Sequence, residues 1–232
     1  MTQFRNIVHS VIVVVICIAT IFSQMVAVNT QHTQNSLNAK VYILHGYGAG
    51  PNDHWFQWLR KELRQKNVPA EIIQFPDSSN PKLDEWISTL HEKIGEIDQD
   101  TFIVVHSLGC VTFLKYLQEK LENKGDIDIG GMMLVSGLLK KLPKLPELDA
   151  FVEPKINIER IKSTTDFVTV VGAKDDPIVP YHHIKDLAIS LDAQLIGLDD
   201  GGHFLSSNGY DQFYRILFEL EEMMNSKSFV KE

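Results

Sequence analysis

Residues Thr101 to Tyr116 read Thr-Phe-Ile-Val-Val-His-Ser-Leu-Gly-Cys-Val-Thr-Phe-Leu-Lys-Tyr, and a change of period inside this stretch decides the fold. Phe102, Ile103, Val104 and Val105 form an unbroken apolar run, as a strand buried on both faces requires. The run stops at His106-Ser107, and after Gly109 the apolar residues Val111, Leu114, Leu117 and Leu121 recur at helical spacing. A buried strand that enters a helix through a turn with a serine at its apex is a nucleophile elbow. Gly109 lets the helix backbone pass close to the strand. Leu108 supplies an N–H at the helix start, where developing negative charge is stabilised. The G-x-S-x-G pattern is incomplete, because Val105 stands where its first glycine belongs. Taken alone, the stretch fits a serine N-cap on an ordinary strand-to-helix turn equally well. The rest of the chain has to decide.

Upstream, Lys40 to Leu44 is a short apolar run that fits a first buried strand, followed by His45-Gly-Tyr-Gly-Ala-Gly-Pro51. A glycine-rich loop after a strand invites a nucleotide reading, and the spacing rejects it. The third glycine of G-x-G-x-x-G falls on Pro51, and no Lys-Ser/Thr pair closes a phosphate loop. The loop instead fits the second oxyanion donor of an α/β-hydrolase, a backbone N–H from Tyr47 or Gly48.

The alternation continues along the chain. A helix is expected from Asn52 onward, with Trp55, Trp58/Leu59 and Leu63 on one face, and a strand over Ala70 to Phe75. Asn80-Pro81 reads as a cap with proline at the first helical position, opening a helix marked by Leu83, Trp86/Ile87, Leu90, Ile94 and Ile97. Further strands are expected over Gly130 to Val135, Phe167 to Val171 and Gln194 to Leu198, with helices over Tyr181 to Leu191 and Tyr210 to Met224. Strands alternating with helices predict an α/β fold: a mostly parallel twisted sheet of about six strands covered by helices on both faces.

Three loops then carry the chemistry. An activated serine needs a base within hydrogen-bond reach and a carboxylate that orients the base, in the chain order Ser, Asp or Glu, His. The strand ending at Val171 runs into Gly172-Ala-Lys-Asp175-Asp176-Pro177-Ile-Val-Pro180, and the strand ending at Leu198 runs into Asp199-Asp200-Gly201-Gly202-His203-Phe204. Both lie past the carboxyl ends of expected strands, where ligand sites gather in open parallel sheets. Ser107, Asp176 and His203 are therefore the expected catalytic residues. Asp176 is preferred because it precedes the proline of D-P-x-V-P, and Asp175 is the reserve. Each loop alone reads as an ordinary turn. Together, in the required order and with the elbow and His45-Gly46, they favour a serine-hydrolase site. The oxyanion hole is expected from the N–H of Leu108 with that of Tyr47 or Gly48. Asp199 and Asp200 are read as turn residues, and His106 as the variable elbow position rather than a catalytic group. His182-His183 are read as solvent-facing, and His54, beside Trp55, is read as a helix-start residue in preference to the pocket lining that its position also allows.

Between Ser136 and Thr165 the alternation lapses into Leu138, Leu139, Leu142, Leu145, Leu148 and Phe151, broken by Pro143, Pro146 and Pro154. This segment is either a loop packed on the domain or a small cap beside the serine that favours an apolar acyl or alkyl group.

The 232 residues suit one sizeable domain plus an appendage. The formal charge is −8, and −9 once Arg5, the only strong base or acid in residues 1–39, is set aside. With no basic stripe anywhere, a nucleic-acid surface is excluded. Ile7 to Phe22 is apolar apart from His9, Ser10 and Thr20. That length is short of the roughly 20 residues of a membrane span and suits an export signal. Residues 1–30 are thus expected to be a signal peptide or an N-terminal anchor through residues 7–28, residues 31–39 a linker, and residues 40–226 the catalytic domain. The protein is then exported or membrane-anchored, or cytoplasmic if the leader is not functional. Cys17 and Cys110 do not suit a disulfide, and Cys110 reads as a packing residue behind the elbow. No metal-ligand spacing occurs, and neither metal nor organic cofactor is expected.

These residues carry a family resemblance. The chain from about Lys40 to Met224 resembles the small serine hydrolases typified by YdeN and retinoblastoma-binding protein nine. The likeness rests on His45-Gly46 with Trp55-Phe-Gln-Trp-Leu, His106-Ser-Leu-Gly-Cys110, Val135-Ser-Gly-Leu138 and Leu142-Pro-x-Leu-Pro-x-Leu-Asp-x-Phe151. It continues through Lys174-Asp-Asp-Pro-Ile-Val-Pro180 and Gly201-Gly-His-Phe-Leu205. The resemblance implies an α/β-hydrolase fold, Ser107 as nucleophile, Asp176 as acid, His203 as base, and small ester-like substrates. Val105 at the elbow and the hydrophobic leader depart from the pattern. The reading is an esterase or thioesterase acting on small molecules. The rival is a catalytically weak protein-binding module on the same fold that uses residues 136–165 as its contact surface.

Overall fold

In the computed structural model of the chain, residues 38–153 and 155–230 are described, the last four by backbone alone. The expected leader and most of the expected linker lie outside the described residues. Six strands form one sheet: β1 (Lys40–Leu44), β2 (Ala70–Ile73), β3 (Thr101–His106), β4 (Gly131–Val135), β5 (Val168–Ala173) and β6 (Gln194–Leu198). Their order is β2-β1-β3-β4-β5-β6, and every pairing is parallel. The helices are α1 (Phe56–Gln65), α2 (Leu83–Lys93), α3 (Leu108–Lys124), α4 (Asp149–Val152), α5 (Ile158–Lys162), α6 (Tyr181–Ser190) and α7 (Tyr214–Val230).

The period-two geometry of a strand splits the apolar run of β3 between two cores. Ile103 and Val105 pack with Trp86 and Leu90 of α2, Leu114 and Leu117 of α3, and Ile184 and Leu187 of α6. Phe102 and Val104 pack on the other face with Phe56, Leu59 and Leu63 of α1 and Ile216 and Leu220 of α7. Every residue of β3 is buried, which is why it reads as continuous rather than alternating apolar sequence. β6 is an edge strand with only Ile196 buried. At about 1.5–3 kcal/mol for each fully buried aliphatic side chain, the two layers together hold the sheet against its conformational entropy.

The direction of winding reverses between β1 and β3. From β1 the chain passes through α1 outward to β2, then returns through α2 to β3 on the other side of β1. Right-handed crossovers put α1 on one face and α2, α3 and α6 on the other. The carboxyl ends of β1 and β3 therefore diverge at a switch point, the place where an open parallel sheet leaves a crevice.

Several helix boundaries differ from the sequence reading. α1 begins at Phe56, because residues 51–55 are turn and His54 sits at φ 53°. Asn80 does not cap α2. Its backbone N–H and side-chain amide both bond back to Asp77, and the helix begins at Leu83 without a side-chain cap. A local turn has captured the polar side chain first. α2 ends at Lys93, where Ile94 turns to extended backbone, so Ile97 lies beyond it. α7 begins at Tyr214, while Tyr210 packs its ring on Phe204 and Phe213 ahead of the helix. The irregular segment 136–165 holds α4, α5 and a short 3-10 turn, with Leu138, Leu142, Leu148 and Phe151 buried. Among the described residues no helix is long and apolar enough to cross a membrane.

Candidate active site

β3 delivers Ser107 at its carboxyl end with φ 55° and ψ −126°, outside the conformations an L-residue ordinarily adopts. Holding a serine there costs about 1–3 kcal/mol and persists only where neighbours enforce it. The Ser107 N–H donates to Val135 O at 2.8 Å, and its carbonyl accepts the Cys110 N–H at 2.9 Å. Two glycines make the room. A Cβ on Gly46 would lie 2.7 Å from Ser107 Cβ, and one on Gly109 would lie 2.5 Å from the His45 carbonyl and 2.9 Å from Val105 Cγ1. Val105 is thus accommodated at the elbow because the bare Gly109 faces it. Its side chain lies in the α3-side core.

The histidine loop follows β6. Gly202 and Phe204 stand at φ 55° and 56°, and Asn208 Oδ1 accepts the N–H groups of His203 and Leu205. His106 Nε2–H donates to the His203 carbonyl at 2.9 Å. Burial drives the His106 pKa far down, the neighbouring His203 ring adding to it, so this ring stays a neutral donor. Its Nδ1 has no partner among the described residues.

The carboxylate loop follows β5. Asp176 Oδ1 accepts the N–H groups of Ile178 and Val179 at 2.9 Å each, and Oδ2 accepts the Ser136 hydroxyl at 2.9 Å. The same Oδ2 accepts His203 Nδ1–H at 2.8 Å, and both side chains are enclosed, Asp176 at 0% and His203 at 5% exposure. With its proton on Nδ1, the ring turns a lone pair on Nε2 to Ser107 Oγ, 2.9 Å away. A hydroxyl, an imidazole and a buried carboxylate from three distant loops therefore stand in line.

Asp175, the reserve, is not on the ring. Its Oδ1 accepts the Gly202 N–H at 2.8 Å, and its carboxylate ties the acid loop to the histidine loop. Asp199 pairs with Lys174 at the surface. Cys110 is buried with its Sγ 3.5 Å from Val105 O, and burial pushes the thiol far above its ordinary range, which suits packing rather than reactivity.

The expected oxyanion donors divide. Leu108, Tyr47 and Gly48 line the same cavity as Ser107 and His203. The Gly48 N–H, however, donates to Ser78 O at 2.7 Å and is committed there. The N–H groups of Leu108, at the first position of α3, and of Tyr47 have no acceptor among the described residues. His45 braces this loop: its Nδ1–H donates to Gly46 O, its Nε2 accepts the Phe75 N–H, and burial lowers its pKa.

The cavity holds about 370 Å³. One wall is mostly apolar and comes from the irregular segment, Leu138, Leu142, Leu145 and Leu148, with Lys144 among them and Ile178 beside it, so this segment forms a pocket wall as well as packing on the domain. A more open depression of about 550 Å³ over α1, lined by Arg60, Lys61 and Arg64, lies apart from the three side chains. Among the described residues no group of three His, Cys, Asp or Glu is disposed to hold a metal ion.

Sequence reasoning missed Ser136 as a partner of Asp176 and the Asp175–Gly202 tie, and of the two roles open to His54 it preferred the helix start to the pocket that the residue in fact lines. Ser136 was findable, since Val135-Ser136 ends a strand on the same rim. The Asp175 tie carries no local signal.

Residues 41–222 match the family model described as serine hydrolase. YdeN of Bacillus subtilis, a protein named as a hydrolase, is 38% identical over 174 residues, covering 75% of this chain and 90% of that protein. The serine hydrolase RBBP9 of Rattus norvegicus is 24% identical over 189 residues, covering 80% and 95%. The crystal structure of the ydeN gene product superposes with a TM-score of 0.75 at 36% identity, covering 80% of this chain and 98% of that one.

Proposed function

This chain belongs to the serine hydrolase family, and from that premise we propose that it cleaves small carboxylic esters or thioesters through Ser107, His203 and Asp176. The observation that carries the reading is the continuous line from Asp176 Oδ2 through the His203 ring to Ser107 Oγ, with steps of 2.8 and 2.9 Å.

In this reading Ser107 Oγ attacks the acyl carbon while its proton passes to His203 Nε2. Asp176 holds the ring in the tautomer that leaves Nε2 free and stabilises the imidazolium that forms. The carbonyl oxygen becomes an oxyanion and takes hydrogen bonds from the Leu108 and Tyr47 N–H groups. The positive end of α3 adds to this stabilisation. Collapse of the tetrahedral intermediate breaks the bond to the alcohol or thiol, which leaves with the proton from Nε2. Water, deprotonated by the same nitrogen, then releases the acid from the acyl-enzyme. The leucine wall supports an apolar acyl group of modest length.

Labelling with a fluorophosphonate probe tests the reading. The wild-type protein is expected to label at Ser107, and Ser107→Ala to remain unlabelled while folding normally. Folded wild-type protein that resists the probe and hydrolyses no nitrophenyl ester would instead support the binding-module rival. The apolar run Ile7 to Phe22 supports a separate proposal, export or membrane anchoring by residues 7–28. Fractionation of the native host with N-terminal sequencing tests it, and a soluble cytoplasmic protein beginning at Met1 would contradict it.

A further inference from the structure

His54 lines the cavity yet takes no part in the steps above. It stands in the turn ahead of α1 at φ 53°. The Ser206 N–H donates to its Nδ1 at 3.1 Å. Accepting there fixes the neutral ring as the Nε2–H tautomer. Burial lowers its pKa, with Asp53 opposing and His203 adding to the effect, so the ring is neutral at ordinary pH. Nε2 has no acceptor among the described residues and is not sealed from solvent. The ring is therefore a donor of fixed tautomer on a cavity wall, with no acceptor among the described residues.

Its side of the cavity is also defined. The bond from Ser206 holds His54 against the chain just after His203, and Leu205 between them lines the same cavity. The His54 ring lies 5.9 Å from that of His106, which in turn lies 4.8 Å from that of His203. His54 thus sits on the part of the cavity wall near His203, the residue from which a leaving group receives its proton. The four leucines of the irregular segment offer no hydrogen bond and suit the acyl chain.

We propose that His54 determines leaving-group specificity, its Nε2–H donating to an acceptor oxygen on the alcohol or thiol portion of the substrate. The preferred substrates are then esters or thioesters whose leaving group carries an ether, carbonyl or carboxylate oxygen a few atoms from the scissile bond. This rests on the reading of Ser107 as nucleophile only in naming which side leaves.

The test compares methoxyethyl butanoate with butyl butanoate, which have the same acyl group and the same number of heavy atoms and differ by one ether oxygen. In His54→Phe the ratio of kcat/KM for the ether ester over the butyl ester is expected to fall about fivefold from its wild-type value, the worth of one neutral hydrogen bond. A purely structural His54 lowers both rates and leaves the ratio unchanged, and that result overturns the proposal. A second measurement avoids both turnover and a variant at residue 54. In isotopically labelled Ser107→Ala the His54 Nε2 resonance should move on adding the ether ester and stay still with the butyl ester. Equal response to both overturns the proposal, whereas absent labelling of Ser107 by fluorophosphonate counts against the nucleophile reading alone.

Discussion

Asp175 Oδ1 accepts the backbone N–H of Gly202 at 2.8 Å, so the residue beside the orienting carboxylate grips the residue beside the imidazole. The two loops are thereby joined twice, once through side chains that face the serine and once through the backbone behind them. Neighbouring aspartates, indistinguishable by charge, have different partners. Asp176→Asn should lower kcat about 10⁴-fold by spoiling the ring tautomer, without unfolding the protein. Asp175→Ala should cost only about ten- to a hundredfold, through looser placement of His203. Steady-state kinetics on a nitrophenyl ester ranks the two, and equal losses would sink the division of labour.

Ser136 is the third partner of the Asp176 carboxylate. Ser136→Ala removes one of four hydrogen bonds on that group and should lower kcat at least about tenfold with KM little changed, since a hydrogen bond to a charged group is worth about 1.5–3 kcal/mol. A change confined to KM would place Ser136 with substrate binding instead.

The elbow depends on two missing side chains. Gly46→Ala drives a methyl to 2.7 Å from Ser107 Cβ, and Gly109→Ala drives one to 2.5 Å from a backbone carbonyl. Each should destabilise the fold by about 1–3 kcal/mol, as overpacking does, and depress activity further by displacing the serine. Urea denaturation alongside kinetics reads both effects. Unchanged stability in Gly109→Ala would mean that the first turn of α3 can shift freely.

Acid should destabilise this protein through two buried histidines outside the Asp176–His203–Ser107 line. Burial holds the pKa values of His106 and His45 below the ordinary imidazole value. The unfolded chain therefore binds protons first as pH falls through about 6.5, and stability present above that pH is lost below it. The slope approaches about 1.4 kcal/mol per pH unit for each such ring. Denaturation midpoints at about pH 7.5 and about pH 5.5 measure it. His106→Gln, which keeps a donor for the His203 carbonyl, should flatten the slope.

The leucine wall should set acyl length. Leu148 is buried and lines the cavity. Leu148→Ala should cost about 2–4 kcal/mol of stability and shift the preference in a nitrophenyl ester series toward longer chains. A preserved chain-length optimum would show that another surface limits the acyl group.

What the linear order of residues determined is the alternation of buried strands with amphipathic helices, and with it a parallel sheet. Periodicity is a local property, and burial on both faces leaves its mark in runs such as Phe102 to Val105. It also singled out Ser107, Asp176 and His203 as the expected triad, because each follows a strand and they come in one chain order. Tertiary structure alone decided the choices that depend on competition for hydrogen bonds. Gly48 lost its N–H to the Ser78 carbonyl, leaving Tyr47, and Asp175 was drawn to Gly202 rather than to the ring. Likewise His54 left the helix start for the cavity wall when its Nδ1 found Ser206, 152 residues away. A donor or acceptor is assigned by whichever partner reaches it in three dimensions, and that partner leaves no trace in the neighbouring sequence.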